Sequence, residues 1–284
     1  MFNFHPERLD QDCLIGRGAC GEVFPYQKHP GDLKWVVKQI IARNTEELLE
    51  CLPEIVLGFS CDHPCIVPVK GYYVQPTEPK GKMHSVYLKL PRMKGNLADE
   101  IKRRKREDSY FSEGELVKHF YALVSAVDYL HNKKIFHGDI KPQTILLNDQ
   151  GDVKLSGLGS VQSVYNEELP PKVTSTISYT APELIQREYV PKKDSHDRGE
   201  SWSLGLTVLE MCMLEQRLIN PYGSVQDIED RLQKIRKKAG ERYGDEFLDC
   251  IFDLLKIDPA ERFKVSATKR KLEENFREIL VRCF

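Results

Sequence analysis

The chain has 284 residues, 30% charged and 40% hydrophobic, with 42 basic and 43 acidic side chains and a net charge of -1. That is a globular balance for one large domain or two lobes, and it excludes a disordered or fibrous chain and any global attraction to nucleic acid or anionic lipid. The first residues, MFNFHPERLD, are too polar for a signal peptide, and no run of 18 apolar residues exists to span a membrane, so the expectation is a soluble, cytoplasmic protein. The eight cysteines are scattered without a CxxC pair, which predicts reduced thiols. Cys61, His63 and Cys65 cluster, but no second pair of ligands is present to close a tetrahedral zinc site.

The first ~90 residues read as strands with one helix. VFPYQ and KWVVKQII are strand-like runs on either side of the turn signal HPGD, and IVPVKGYYV and HSVYLKL flank the turn-rich QPTEPKGK. Between the two strand pairs EELLECLPEIVLGF has helical spacing, with Pro53 predicting a kink or a late start. From Asn96 onward helices dominate: LADEIKRRKRE, then ELVKHFYALVSAVDYLH with Leu116, Phe120, Leu123, Val124, Val127 and Leu130 on one face. The strands TILLN and VKLSG follow around NDQGD. ESWSLGLTVLEMCML is apolar enough for a helix buried on every side, and three more helices follow at IEDRLQKIRKK, DEFLDCIFDLL and TKRKLEENFREIL. The basic run from Lys102 to Arg106 reads as a solvated helix face, with no nucleic acid expected.

Gly16, Gly18 and Gly21 form a GxGxxG pattern, weak by itself because glycines also mark plain turns. Here the glycines precede a strand instead of opening a helix, and Lys38 lies on the strand after that, the arrangement of a flap over phosphates with a lysine reaching them. Other motifs follow in order. Glu54 lies nine residues before His63; His137-Gly138-Asp139 is followed by Lys141-Pro142; Ala181-Pro182-Glu183, Trp202-Ser203-Leu204-Gly205 and Asp258-Pro259 with Arg262 complete the set.

From about Leu9 to Leu280 this pattern resembles the eukaryotic protein kinases, of the serine/threonine class. The resemblance implies an α+β, bilobal fold, with a small β-rich lobe over about 9–92 and a larger helical lobe over about 93–284. It implies that Glu54 pairs with Lys38, that Asp139 and Lys141 stand at the catalytic positions, and that Glu183 and Arg262 form a buried ion pair. Nucleotide contacts fall on Gly16, Gly18, Gly21, Val23, Val36, Lys38, Glu54, Leu90, Met93 and Leu146.

The chain departs from the family where Mg2+ is held. Gly157-Leu158-Gly159 occupies the DFG triplet, so its aspartate is a glycine, and Thr144 stands for the catalytic-loop asparagine. Glycine has no side-chain oxygen, and a hydroxyl is a poor substitute for an amide carbonyl on Mg2+. Gly138 replaces the HRD arginine, Glu200 the aspartate of the buried helix, Val36 the alanine over adenine, and Gly58 a bulky apolar residue. Pro91 and Arg92 alter the strand that meets the base.

The expected function is that of a pseudokinase, a regulatory or scaffolding domain with weak, divalent-independent ATP binding, no metal, and a protein partner such as an active kinase or a signalling complex. Three alternatives remain open: a low-activity serine/threonine kinase, a nucleotide-dependent transferase, and an empty pocket in which Lys38, Glu54 and Asp139 are purely structural. Thr174, Ser175 and Thr176 are candidate phosphate acceptors, and Thr176 also matches the position that bonds the catalytic aspartate.

Overall fold

The structure, a computed structural model, describes residues 13–18, 21–26, 34–77, 83–163, 176–185 and 195–283. The chain divides into two compact units. One runs to Lys94 and takes in Ser156–Gly159; the other holds Gly95–Leu155 and the chain from Ser160 on. The short Ser156–Gly159 segment therefore belongs with the first unit, although it lies in the stretch that the sequence assigns to the helical lobe.

The first unit is an antiparallel sheet of β1 (Gly16–Gly18), β2 (Gly21–Tyr26), β3 (Trp35–Ala42), β4 (Gly71–Pro76) and β5 (His84–Pro91), in the order β1-β2-β3-β5-β4. One helix, α1 (Thr45–Ser60), covers one of its faces. Side chains alternate across a strand, so Ile40, Val86, Leu88 and Leu90 pack together with Leu48, Cys51 and Ile55 of α1 and with Val69. On the other face Tyr26, Val37 and Tyr87 form a second cluster with Trp35 and Tyr73, and the Lys89 ammonium lies 4.8 Å and 4.6 Å from the Tyr26 and Trp35 ring centres.

Two local expectations are corrected here. Pro53 does not delay the start of α1; the helix begins at Thr45, where the Asn44 side chain accepts the Glu47 N–H at 2.8 Å, and it runs on past Pro53 to Ser60. Proline removes one backbone bond, and burial of Cys51 and Ile55 on either side of it outweighs that loss. IVPV is not strand: Pro68 cannot donate to a ladder, and regular pairing begins only at Gly71. Val67 and Val69 are buried all the same, and the Val69 N–H bonds the Gly58 carbonyl at 2.9 Å.

In the second unit β6 (Gly95–Asn96) leads into α2 (Leu97–Arg106), α3 (Glu113–Asn132) and β7 (Ile135–Phe136). Next come β8 (Ile145–Leu147), β9 (Val153–Leu155), β10 (Gln162–Ser163) and α4 (Pro182–Ile185). The helices α5 (Ser195–Met213), α6 (Val225–Ala239), α7 (Asp245–Phe252), α8 (Val265–Asn275) and α9 (Arg277–Val281) follow. β6, β8 and β9 form one small sheet, β7 and β10 another.

α3 starts with a reciprocal cap between Ser112 and Glu115, and its predicted apolar face is wholly buried. α5 is buried nearly all round, as its composition predicts. The basic run at the end of α2 is largely engaged within the unit: Arg103 and Arg104 both pair with Glu100, and Arg104 also lies 3.8 Å from the Phe111 ring centre. Among the described residues no helix is long and apolar enough to cross a membrane.

Candidate functional site

The sequence-predicted residues fall into two sets, one in each unit. In the first unit β1 and β2 form the glycine hairpin, with Gly16 opposite Val23 and Gly18 opposite Gly21. Ala19 and Cys20, between the strands, lie outside the described residues. Gly21 has φ +135°, and a Cβ there would lie 2.2 Å from the Gln39 carbonyl oxygen, so the backbone of β3 requires this glycine.

Val23 is paired with Lys38, and Val36 with Leu90. Val36 and Lys38 are two apart on β3 and share a face. The Lys38 ammonium donates to both carboxylate oxygens of Glu54, at 2.7 Å and 2.8 Å, with both side chains largely shielded from solvent. Pro91 closes β5, and the Arg92 N–H bonds the Lys34 carbonyl at 2.8 Å, so this strand keeps its backbone pairing just before Met93.

Two glycines in this unit are set by close approach. A Cβ on Gly58 would lie 2.2 Å from Val69 Cγ2, so the valine fills the space that the family's bulky residue would occupy. A Cβ on Gly159 would lie 2.8 Å from Glu54 Oε2. Gly157 has φ +85° and Leu158 is buried, so the triplet keeps an ordered turn without its carboxylate.

In the second unit His137 is fully buried and its Nδ1 accepts the Asp139 N–H at 3.2 Å. Asp139 Oδ2 lies 2.7 Å from Lys141 Nζ, which donates to Thr176 Oγ1 at 2.5 Å. Asp139, Lys141 and Thr176 are thus brought together, while Leu146 sits on β8 opposite Lys154 and Asn96. The Thr144 hydroxyl lies 2.8 Å from the Asp139 carbonyl and 3.0 Å from that of Lys141, and it accepts the Lys141 N–H at 3.2 Å. Thr174 and Ser175 lie outside the described residues.

Glu200 is a departure in residue type only. Its Oε1 accepts the Gly138 N–H at 2.6 Å and its Oε2 meets His131 Nε2 at 2.7 Å, so the longer acid still braces the loop that carries His137, Gly138 and Asp139. Burial alone would lower the His131 pKa, but bonding to Asp197 and Glu200 outweighs it and raises the pKa to about 9. Sequence reasoning missed His131, although it lies six residues before His137 at the end of a predicted helix.

Nearby, Tyr179 donates to Glu210 Oε2 at 2.7 Å, and burial pushes the Glu210 carboxyl up to about 7. Glu183 and Arg262 form the expected buried pair at 2.6 Å and 2.9 Å.

The donor set does not fit Mg2+. Gly157 contributes no side-chain oxygen, the Thr144 hydroxyl is bonded to backbone, and among the described residues no group of three or more His, Cys, Asp or Glu side chains gathers to hold a metal. The residues facing a nucleotide in the resemblance fare better, because the glycine hairpin and the bidentate Lys38–Glu54 pair are both formed.

The family profile described as protein kinase domain matches residues 9–272. The chain is similar to the MAP kinase kinase MKK1/SSP32 of Saccharomyces cerevisiae, with 34% identity over 209 residues, covering 72% of this chain and 39% of that protein. It is also similar to serine/threonine-protein kinase 10 of Homo sapiens (27% over 202 residues, 71% of this chain and 20% of that protein). Serine/threonine-protein kinase 10-A of Xenopus laevis gives 29% over 210 residues, with the same two shares, 71% and 20%. The aligned part thus spans between about a fifth and two fifths of these relatives' lengths.

Proposed function

Because the chain belongs to the protein kinase domain family, we propose that it is a degenerate member, a pseudokinase that acts as a regulatory or scaffolding domain toward another cytoplasmic protein. One observation carries this reading. Of the two positions at which the family holds Mg2+, Gly157 has no side chain and the Thr144 hydroxyl is bonded to the Asp139 and Lys141 carbonyls. Phosphoryl transfer relies chiefly on positioning and on neutralising charge between the β- and γ-phosphates, and losing the metal clamp removes a large part of that stabilisation.

ATP, when bound, supplies a phosphoryl group and a polyanion for recognition. Lys38, held by Glu54, offers that polyanion a fixed positive charge, and the hairpin backbone offers N–H groups. Absence of the Gly157 carboxylate also spares the site a negative charge that would repel metal-free ATP. Binding is therefore weak and divalent-independent, with a Kd on the order of tens to hundreds of micromolar.

A second reading, a low-activity serine/threonine kinase, is favoured by the intact Lys38–Glu54 pair and the Asp139–Lys141–Thr176 chain. The matched relatives carry kinase names, and the comparisons weigh on the side of this reading. Radiolabel incorporation into generic substrates decides between the two. Signal at background in Mg2+ and Mn2+, unchanged in Asp139→Asn, supports the pseudokinase; a robust signal lost in that variant establishes the kinase. Thermal shifts with ATP in Mg2+ and in EDTA test the nucleotide claim, since a ligand that binds only the folded state raises Tm.

A further inference from the structure

Two helices of the second unit end in basic runs, and the fold brings those ends to one corner. α2 closes on Arg103, Arg104, Lys105 and Arg106, and α6 on Arg236, Lys237 and Lys238. A helix C-terminus favours a cation against its free carbonyls, but these runs hold more cations than that role needs. The segments that follow the two helices are fastened together. The Tyr243 hydroxyl donates to the Phe111 carbonyl at 3.1 Å, the Gly244 N–H donates to Glu113 Oε2 at 2.6 Å, and the Arg242 guanidinium lies over the Tyr110 ring, 3.7 Å from its centre.

Many charges at this corner are already engaged. Glu100 holds Arg103 and Arg104, Glu107 also meets Arg103, and Glu115 also meets Arg104. Asp99 pairs with Lys102, and Arg236 with Asp249. Lys237, Glu241 and Asp245 line a separate cleft beside α6, and Asp245 and Glu246 stand in the first turn of α7, where the helix dipole favours them. Lys105, Arg106, Lys238 and Arg242 remain, all exposed and with no acid partner among the described residues, beside the exposed Asp108. Helical bonding runs past the end of α6, from the Gly240 N–H to the Arg236 carbonyl and from the Tyr243 N–H to the Ala239 carbonyl, so Lys238 and Arg242, four apart, stand on one side.

The surroundings of these cations indicate what they meet. No large apolar side chain is exposed from Leu97 to Leu116 or from Arg231 to Phe247, so nothing here enters a bilayer. Tyr110 is covered by Arg242 and Phe111 is buried, so neither ring offers a face on which bases could stack. Contact with Tyr110 also holds the Arg242 guanidinium in place, and its fork of N–H groups matches a carboxylate.

We infer that the corner formed by Lys105, Arg106, Lys238 and Arg242 docks an acidic segment of another protein, whose Asp or Glu carboxylates pair with cations from both helix ends. None of the four stands at a nucleotide-facing or catalytic position, so the inference goes beyond the reading given above and holds whether or not the chain transfers phosphate.

Fluorescence anisotropy tests it with a labelled peptide of about 12 residues in which glutamate and aspartate alternate with glycine and serine, and a twin with lysines for the acids. At about 50 mM salt the acidic peptide should bind with a Kd on the order of 50 μM, weakening severalfold by about 150 mM, and the lysine twin should not bind. Lys105→Glu with Arg106→Glu, and separately Lys238→Glu with Arg242→Glu, should each weaken binding at least fivefold, because each pair supplies half of the surface. Tm should hold in both, since all four side chains are exposed. The same change of charge made away from the corner, at the exposed Lys70→Glu with Lys256→Glu, should leave binding within twofold. Equal weakening by that control pair, or binding unchanged in the two corner variants, would overturn the proposal. A 20-nucleotide RNA or phosphatidylserine vesicles that bind more tightly than the peptide, and lose binding in the corner variants, would overturn it in favour of nucleic acid or a membrane surface.

Discussion

Two shielded ion pairs, one in each unit, show how differently the same chemistry can be used. In the second unit all five guanidinium donors of Arg262 are engaged: Nη1 bonds Glu183 and the Arg198 carbonyl, Nη2 bonds Glu183 and the Ile257 carbonyl, and Nε bonds the Lys256 carbonyl. The guanidinium also lies 5.1 Å from the Trp202 ring centre, and the side chain is fully buried. In the first unit Lys38 directs two of its three N–H groups to Glu54, and the third has no protein partner among the described residues. A saturated cation ties chain segments together; an unsaturated one, held in place, is available to an incoming anion.

The sharpest break of this comparison is Arg262→Ala. Removing one partner leaves the Glu183 carboxylate and three backbone carbonyls without their donor, and should cost about 3 to 5 kcal/mol. Urea denaturation measures it. Arg262→Lys should recover only part of the loss, because an ammonium cannot reproduce the five-donor fork. A wild-type midpoint for Arg262→Ala would mean that the pair is no structural anchor.

The next effect is on pH dependence. His131 has a folded pKa of about 9, above its ordinary 6.5, so its contribution is fully present below pH 6.5 and is lost as pH rises through 9. The difference corresponds to about 3 kcal/mol. His131→Asn should flatten the stability profile between pH 6.5 and 9. Glu210, with a folded pKa of about 7 against an ordinary 4.5, acts at lower pH, its contribution fading from 4.5 through 7. Subtracting the variant's profile from the wild-type profile therefore isolates the histidine. A wild-type slope that persists in His131→Asn would show that the Glu200 brace does not depend on the imidazolium.

Lys38→Met tests the other half of the comparison. The loss in stability should be about 1 to 3 kcal/mol, smaller than for Arg262, because only one shielded acid loses its partner. The larger consequence should be functional: the ATP-induced thermal shift disappears. An undiminished shift would place nucleotide recognition elsewhere.

The ordered motifs made the kinase family legible, since each fixes a residue type at a point where the backbone leaves little choice. Lys38, Glu54, Asp139, Lys141, Glu183 and Arg262 were all found by motif, and the structure gives the pairs among them their geometry. Non-local compensation was not legible. Glu200 looks like a lost aspartate until the added methylene is seen to reach both Gly138 and His131. Gly58 looks like a missing spine residue until Val69, eleven positions later, is seen to fill its place. The Pro53 signal is a statement about one backbone bond, and it was overridden by packing that pattern alone cannot weigh.

The smallest expected effect is that of Gly157→Asp. The position has φ +85°, in the left-handed region, where aspartate is tolerated better than most residues. The strain should therefore cost only about 1 kcal/mol, and the variant should fold. Phosphotransfer should nevertheless stay at background. The Thr144 hydroxyl would remain bonded to the Asp139 and Lys141 carbonyls, and Gly138 would still offer no cation to a phosphate in the activation segment. Restored carboxylate and unchanged hydroxyl also make a separable prediction: Mg2+ should raise the variant's Tm in the presence of ATP by no more than it raises that of the wild type. Activity recovered by this one substitution would show that the retained Lys38, Asp139 and Lys141 stand one carboxylate short of a working site, and it would move the protein from the pseudokinase reading to that of a kinase lacking a single ligand.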